Sequence, residues 1–279
     1  MSLLSWLKPL GDRLPWVASR VRAIRDRRAV SGTPRDTPHG FRFFGLPSMM
    51  DGTFEPDETA LIVTLLRETD LFVNVGANVG YYVCHACKAG VPVLAVEPMA
   101  INREALQTNL AANGWQDRIT LLPLALSDTP GTATIYGSRL GASLIPGWAG
   151  TPEHYSTTVE VSTLDRVLTP EVQADRRRLL ILVDIEGAEL MMLKGASRIL
   201  TLDPPPSWIV EIAVHEHQPK GISVNPNLVA TFQQFFDRGY SACTADAERR
   251  PVTIDEVRQV ATTGRDSFGC HNFLFSKVS

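Results

Sequence analysis

Residues 72–83 read FVNVGANVGYYV, and the pattern of the whole chain can be followed outward from them. The apolar run that ends at Val75 predicts a buried β-strand, and the residues after Gly80 predict a helix. Gly76 and Gly80 lack a Cβ atom, so the connecting loop can turn tightly and bring its backbone against a ligand. A dinucleotide-binding loop would require a third glycine where this chain has Asn78, which weakens a nicotinamide interpretation.

The same alternation of strands and helices continues along the chain. Apolar, β-rich runs predict parallel strands over residues 70–75, 91–96, 119–126, 179–183 and 208–214. Helical patterns separate them, over residues 56–68, after Gly80, and over residues 103–113, 188–200 and 228–237. Crossover helices of this length predict a parallel sheet whose ligands bind at the carboxyl ends of the strands.

The remaining β-like segments complete this plan. Two short runs at 132–136 and 157–161 flank a glycine- and proline-bearing insertion at 137–152, which we expect to form a lid. The runs at 240–244 and 272–276 are expected to pair as a C-terminal antiparallel hairpin. The predicted fold class is α/β, with a mostly parallel seven-stranded sheet that ends in this hairpin.

The composition indicates one main globular domain in the cytoplasm. A chain of 279 residues with 44% hydrophobic and 20% charged residues can bury a full α/β core. A net charge of −3 gives no electrostatic reason to favour nucleic acid as a partner. Four scattered cysteines argue against a secreted disulfide framework, and no apolar run is long enough to span a membrane.

Residues 1–30 differ from the rest because basic residues strongly outnumber acidic ones. Leucine, isoleucine and valine recur there at helical spacing, while Pro9 and Pro15 divide the stretch into short pieces. We therefore divide the chain into a basic amphipathic helical arm with its connector, residues 1–52, and a main domain, residues 53–279. Packing of the arm on the domain, peripheral association with the inner face of the membrane, and dimerisation all stay open.

Glu97 follows the second predicted strand, about twenty residues beyond the glycine loop, where a carboxylate can accept hydrogen bonds from two ribose hydroxyls. The loop and Glu97 together therefore predict an adenosine ligand. The candidate residues for binding it belong to the loop and to the next two strand ends: Asn74, Gly76, Ala77, Asn78, Gly80, Glu97, Pro98, Ser127 and Asp128.

Five segments in this order resemble the FkbM family of methyltransferases: residues 72–83, 95–113, 121–128, 162–168 and 182–196. The last segment, LVDIEGAELMMLKGA, is the most specific of them. The resemblance implies a class I Rossmann-like fold that transfers the methyl group of S-adenosyl-L-methionine to a hydroxyl of a sugar, glycan or natural product. Members of that family usually carry aspartate where this chain has Asn74, so a neutral amide would make the cofactor contact expected there.

Polar residues at two strand ends are the candidates for catalysis. Asp184 and Glu186 follow the fourth parallel strand, at the edge where such sheets bind ligands. Glu211 lies late in the fifth, and the alternation of an extended strand would point His215 into the same cleft. A carboxylate or imidazole there could serve as general base toward an acceptor hydroxyl. These four residues could alternatively hold a divalent metal ion, which we do not favour.

Two further functions stay open beside O-methylation of a small molecule. A nucleic-acid methyltransferase is favoured only by the fold and the basic arm, and a non-catalytic cofactor-binding protein of the same fold would be compatible with Asn74. Cys84 and Cys87 have the spacing of a metal or redox motif, but no second pair completes a zinc site. We interpret them as small buried residues on the inner face of the helix after the loop.

Overall fold

The computed structural model describes residues 32–138, 141–168 and 177–277. The predicted helical arm over residues 1–30 lies outside these described residues. Within the described ranges, no helix combines the length and the apolar character that crossing a lipid bilayer requires.

Strands and helices alternate along most of the described chain. The strands are β1 (Arg35–Asp36), β2 (Arg42–Phe43), β3 (Leu71–Val75), β4 (Val93–Val96), β5 (Ile119–Leu122), β6 (Ala125–Leu126), β7 (Gly131–Tyr136), β8 (Ser156–Ser162), β9 (Leu179–Val183), β10 (Ser207–Glu211), β11 (Ser241–Thr244), β12 (Pro251–Val252) and β13 (Asn272–Ser276). The α-helices are α1 (Pro47–Asp51), α2 (Pro56–Leu65), α3 (Tyr81–Ala89), α4 (Ala100–Ala111), α5 (Leu164–Val167), α6 (Glu189–Lys194), α7 (Leu228–Phe236) and α8 (Ile254–Thr263).

The central sheet has the strand order β12-β11-β13-β10-β9-β3-β4-β5. The five strands from β10 to β5 in this order are mutually parallel, whereas β13 runs antiparallel between β10 and β11. The strand order reverses between β3 and β9, and ligands of open α/β sheets bind at such a point. The predicted class I Rossmann-like α/β fold is confirmed, except that β12 adds an eighth strand to the seven expected.

Burial explains why the sequence of the central strands is apolar without alternation. Every residue of β3 and of β9 is buried, as is typical of parallel strands covered by helices on both faces. One core cluster on the sheet contains Trp208 and Phe232, and the other contains Phe72 and Leu106. The glycine loop is therefore anchored at the end of one of the most buried strands of the molecule.

The predicted strand over residues 119–126 is wrong in its second half, because the chain leaves the central sheet at Pro123. Proline has no backbone N–H to donate, and β5 ends at Leu122, whose carbonyl accepts from the Glu97 backbone at 3.1 Å. β6 pairs instead with β8, and β8 pairs with β7, in a separate three-stranded sheet. This small sheet contributes Leu126 and Ile135 to the cleft described below.

The predicted helix over residues 188–200 is also shorter than expected, because α6 ends at Lys194. A Cβ atom on Gly195 would lie 2.1 Å from the Ser127 carbonyl oxygen, so the chain at this point lies tightly against the segment after β6. The Asp165 carboxylate accepts from the backbone N–H groups of Arg198 and Ile199 at 3.1 Å. These contacts start a new short turn instead of continuing the helix.

The segment before α2 packs closely against α3 and α4. Asn109 forms hydrogen bonds with the backbone N and O of Phe44 at 2.8 and 3.0 Å, and Asn113 does the same with Arg42 at 2.8 and 2.7 Å. The side chains of Asn109 in α4 and of Asn113 just after it thus pair with the backbone of this segment, as a neighbouring strand would. Three of its side chains are buried in the core: Phe41, Phe43 and Met49.

Candidate active site

The glycine loop between β3 and α3 lies directly against the end of β9. Gly76 has a φ of +86°, and a Cβ atom built on it would come 1.8 Å from the Asp184 carbonyl oxygen. Only glycine fits this contact. The backbone N–H groups of Gly76 and Ala77 both donate to the Val96 carbonyl at 3.0 Å, which fixes the loop to β4 as well.

Glu97 fixes the loop from the other side. Its Oε2 atom accepts from the Asn78 backbone N–H at 2.8 Å, and its Oε1 atom accepts from Met99 N at 2.8 Å and from Asn102 Nδ2 at 3.2 Å. The side chain is 4% exposed, and burial raises its pKa to about 7. Each carboxylate oxygen has two lone pairs, so this buried group can accept further hydrogen bonds from a ligand.

A cleft of about 550 Å³, which we call the first cleft, opens beside Glu97 at the carboxyl ends of β3, β4 and β9. Its polar groups are contributed by Asn78, Glu97, Asp184 and Glu186. Its apolar wall includes residues of the strand ends, the small sheet and the 137–152 insertion: Val96, Leu124, Leu126, Ile135, Leu144 and Ile185. An apolar cleft with a few polar groups at one end is typical of a small-molecule site.

A second cleft of about 710 Å³ extends from the same loop toward residues 46–55. The two clefts share Gly76, Asn78, Asp184 and Glu186. The other polar and aromatic residues of the second cleft are Phe54, Glu55, Asn74, Tyr81, Tyr82 and Glu211. The loop and the end of β9 therefore stand where two clefts meet, an arrangement that can bring two ligands together.

Asp184 and Glu211 follow or end neighbouring strands and form a carboxyl pair at this junction. Val210 pairs with Val183 in the parallel register, which places Glu211 beside Asp184. The charge of Asp184 and burial raise the pKa of Glu211 well above its ordinary value, and a hydrogen bond between the two side chains adds to this rise. The proton of the pair therefore resides on Glu211, and Asp184 accepts the hydrogen bond.

Glu186 connects the 137–152 insertion to the junction. The Trp148 indole Nε1 donates to Glu186 Oε2 at 2.6 Å, and the Ser143 hydroxyl donates to the Glu186 backbone carbonyl at 2.5 Å. His217 Nδ1 lies 3.5 Å from the same Oε2 atom. A Cβ atom on Gly187 would come 2.5 Å from the Trp148 ring, so the ring packs directly against the Gly187 backbone. The insertion thus packs against Glu186 and Gly187 at the start of the segment that follows Asp184.

His215, the predicted base, is placed apart from this junction. Strand β10 ends at Glu211, three residues before its predicted end at 214, and farther along the Val214 carbonyl accepts from the Asn225 backbone N–H of a loop at 2.8 Å. The extended geometry assumed for His215 therefore does not continue to that residue. Its Nδ1 atom lies 2.6 Å from the Ser223 carbonyl, and its side chain does not line either cleft.

Of the other residues predicted to bind the cofactor, some line a cleft and some do not. Pro98 lines the first cleft beside Glu97, whereas Ser127 and Asp128 line neither cleft. The Ser127 backbone donates to the Ser162 carbonyl at 2.9 Å, and its hydroxyl donates to Asp128 at 3.2 Å. Gly80 is the N-cap residue of α3, and a Cβ atom there would come 2.8 Å from the Leu106 side chain.

Several residues of the second cleft and its cover were not predicted from the sequence. The Tyr82 hydroxyl donates to Glu55 Oε2 at 2.7 Å, and the Glu58 carboxyl lies behind them with 6% exposure. Proline at position 56 marks the start of a helix, but nothing in the sequence relates that start to the ends of β9 and β10. Trp148 and His217 likewise reach the site from loops, whose positions the strand pattern does not specify.

The cysteine pair is buried as predicted, with both Cys84 and Cys87 fully inaccessible. Burial raises both thiol pKa values, to about 11 for Cys87, so neither thiol is activated. In the described part of the chain, no group of three or more histidine, cysteine, aspartate or glutamate side chains is arranged to hold a metal ion.

The buried Glu97 carboxyl leads to a prediction about stability. Burial raises its pKa from 4.5 to about 7, so the folded protein holds this proton more tightly than the unfolded chain does. We therefore expect the free energy of unfolding to decrease, by up to about 3 kcal/mol, as the pH rises through this interval. Urea unfolding at a series of pH values should show that the free energy of unfolding decreases less with rising pH in Glu97→Gln than in the unaltered protein.

Burial also raises the pKa of Glu189, to about 8, so Glu189 contributes to the same pH dependence in both proteins. The contribution of Glu97 is therefore the difference in pH dependence between the unaltered protein and Glu97→Gln. Glu104→Gln is the matched control, because Glu104 is exposed on α4 and loses the same charge. Equal pH dependence in the unaltered protein and in Glu97→Gln would contradict the assignment.

Comparison with known proteins gives fold relatives of low sequence identity. Cofactor-bound Rv0187 from MTB is 11% identical, with a TM-score of 0.46 over 94% of this chain and 89% of that chain. A precorrin-6y C5,15-methyltransferase from Geobacter metallireducens GS-15 is 12% identical, with a TM-score of 0.44 over 87% and 100%. An O-methyltransferase from Bacillus cereus in complex with SAH is 12% identical, with a TM-score of 0.44 over 81% and 82%.

A search of curated proteins finds no match to the chain. The family model described as the methyltransferase FkbM domain matches residues 74–242, which is more than half of the chain. The match begins at Asn74, near the end of β3, and ends in β11, so it includes the glycine loop, Glu97 and the carboxyl pair at the ends of β9 and β10. The chain therefore belongs to the FkbM family of S-adenosylmethionine-dependent methyltransferases.

Proposed function

We propose that this methyltransferase transfers the methyl group of S-adenosylmethionine to a hydroxyl of a sugar, glycan or natural-product acceptor. The observation that carries the proposal is the carboxyl pair of Asp184 and Glu211 at the junction of two clefts. The first cleft has the composition of a nucleoside site, and the second, which Asn74 and Ala77 of the expected cofactor-binding set line, continues from it at the junction.

The residues of the first cleft fit the cofactor. Glu97 offers buried acceptor oxygens for ribose hydroxyls, and Gly76 and Asn78 of the loop line the cleft beside it. The Oδ1 atom of Asn78 is buried at the junction without a hydrogen-bond partner in the described part of the chain, and a donor on the ligand would satisfy it. When bound, S-adenosylmethionine supplies a methyl group activated by a positively charged sulfur.

The carboxyl pair fits the removal of a proton from an acceptor hydroxyl. Because Glu211 keeps the proton of the pair, its hydroxyl holds the Asp184 carboxylate in one orientation. Asp184 is exposed to both clefts and can accept the hydroxyl proton as the general base, whereas Glu211 acts as a positioning residue. Glu186, held by Trp148, lines both clefts beside Asp184.

We place the enzyme in the cytoplasm, with the basic residues 1–30 as a means of peripheral attachment to anionic lipid at the inner face of the membrane. The support for this placement is the sequence of the arm, in which basic residues outnumber acidic ones and apolar residues recur at helical spacing.

The proposal is tested by incubating the protein with S-adenosylmethionine that carries a labelled methyl group and a panel of acceptors. The panel includes neutral sugars, amino sugars, a hydroxylated polyketide and RNA. We expect the label to appear as a methyl ether, identified by fragmentation mass spectrometry, and to appear equally after exhaustive chelation of metals. Label on nitrogen or on RNA, or the absence of cofactor binding in calorimetry, would overturn the proposal.

A further inference from the structure

The residues around the glycine loop divide between the two clefts. Glu97, whose carboxylate fits the ribose, lines only the first cleft, whereas Asn74 and Ala77 line only the second. Gly76 and Asn78 line both clefts. A ligand that binds Glu97 with its ribose and passes the shared part of the loop therefore enters the second cleft beside Asn74.

The amino-acid end of S-adenosylmethionine carries an ammonium group, which is bound most strongly by a carboxylate. Asn74 is buried with 2% exposure and offers only a neutral amide. Of the acids that line the second cleft, Glu211 holds a proton, and Asp184 faces the acceptor hydroxyl in the proposed function. Glu186 already accepts from an indole N–H. The carboxylate that remains in this cleft is that of Glu55.

Glu55 belongs to the wall of the second cleft and does not serve the helix that it precedes. It is the N-cap residue of α2, yet its side chain caps no backbone N–H of that helix. Its Oε2 atom instead accepts from the Tyr82 hydroxyl at 2.7 Å, and both residues line the second cleft. Its φ of +39° is rare outside glycine, and residues held in such conformations are concentrated at ligand sites.

No basic side chain of the second cleft neutralises the charge of Glu55, because neither lysine nor arginine is among the described residues that line it. Burial raises the pKa of Glu55, and the hydrogen bond from Tyr82 lowers it. The charge of Asp184 raises this pKa as well, and that of His271, which does not line the cleft, lowers it. An ammonium group beside the carboxylate would favour its ionised form and remove the cost of leaving it unpaired.

We propose, on the basis of the adenosine placement in the proposed function, that Glu55 binds the ammonium group of S-adenosylmethionine. Tyr82 is a positioning residue, since its hydroxyl donates to the same carboxylate. The Asn74 amide can accept a further hydrogen bond from the ammonium group, but it supplies no charge. The charge that selects the amino-acid end of the cofactor thus comes from the segment before α2, outside the residues 74–242 that the family model matches.

The test measures by calorimetry the binding of S-adenosylhomocysteine and of 5′-methylthioadenosine to the unaltered full-length protein and to Glu55→Gln. The two probes share the adenosine and a neutral thioether sulfur, but only S-adenosylhomocysteine carries the amino-acid end. We expect Glu55→Gln to weaken S-adenosylhomocysteine binding by about 10- to 100-fold, as loss of a charge-assisted hydrogen bond does. The affinity for 5′-methylthioadenosine should change by less than about twofold.

Tyr82→Phe is the second variant, because it removes the hydroxyl that holds Glu55 and keeps the ring. It should weaken S-adenosylhomocysteine binding in the same direction, by about threefold or more. Glu104→Gln, which removes one exposed charge on α4, should change neither affinity.

Unchanged or tighter binding of S-adenosylhomocysteine by Glu55→Gln would overturn the inference, because the cofactor's carboxylate, if it were the group beside Glu55, would gain from the loss of charge. An equal loss for both probes would overturn it as well, since it would indicate a change in the adenosine site. Failure of the unaltered protein to bind S-adenosylhomocysteine would instead overturn the proposed function.

Discussion

Replacement of Asp184 with asparagine is expected to lower the rate of methyl transfer by about 10²- to 10³-fold, within the range observed when a general base is removed. Asparagine has nearly the same shape, but it cannot take up the proton of an acceptor hydroxyl. Initial rates with labelled S-adenosylmethionine measure the effect, using the acceptor of the panel that gives the highest rate. Calorimetry on the same protein should show a much smaller loss of cofactor affinity, under about fivefold.

The split between kcat and KM distinguishes the general base from a residue that only supports the fold. Asp184→Asn should lower kcat and leave the KM for the acceptor within about threefold, because the amide keeps the shape of the site but cannot take up the proton. Glu211→Gln is the companion variant, because a glutamine amide can still donate to Asp184; it should retain most of the activity that Glu211→Ala loses. If Asp184→Asn transfers methyl groups at a rate within about threefold of the unaltered protein, Asp184 is not the general base.

The second large effect is expected for Gly76→Ala, which should reduce the affinity for S-adenosylmethionine by about 100-fold or more. The added methyl group would lie 1.8 Å from the Asp184 carbonyl oxygen, a backbone atom, so the loop must move away from β9. Calorimetry measures the loss of cofactor binding, and thermal unfolding measures the accompanying loss of stability.

Gly90→Ala provides a matched control for this substitution. Gly90 has a φ of +80°, close to the +86° of Gly76, but a Cβ atom there would have nothing within 4 Å. It should lose about 1 kcal/mol of stability through the left-handed backbone conformation and keep its cofactor affinity. If the two variants bind the cofactor equally well, cofactor affinity does not depend on the close approach of the loop to β9.

The sequence predicted the central strands well because they are buried on both faces. β9 and β13 have the predicted bounds, and β3 begins one residue later than expected. The errors occur where one residue breaks a local pattern, as Pro123 does in the third strand and Gly195 in the helix after β9. Helix α8 was missed although Thr253 accepts from the Glu256 backbone N–H in a recognisable capping motif.

The site could be predicted only as far as it depends on strand ends. Asp184, Glu186 and Glu211 lie together because carboxyl ends of parallel strands meet at one edge of a sheet, and strand order was sufficient to infer this. The histidine at position 217, and not 215, contacts Glu186, because the strand ends at Glu211 and alternation no longer applies beyond it. Glu55 and Trp148 depend on tertiary packing of loops, for which a single sequence has no periodic signal.

The hydrogen bonds between the end of α4 and the segment before α2 have a consequence for how this enzyme can diversify. Residues 46–55 form one wall of the second cleft, and the stretch just before them is bonded to Asn109 and Asn113, whose side chains contact this stretch only through the backbone of Arg42 and Phe44. Contacts to backbone tolerate a change of side chain at these two positions, whereas Phe43 and Met49 are held by the core. The exposed side chains of this segment can therefore differ between relatives while its backbone keeps the same place beside the glycine loop.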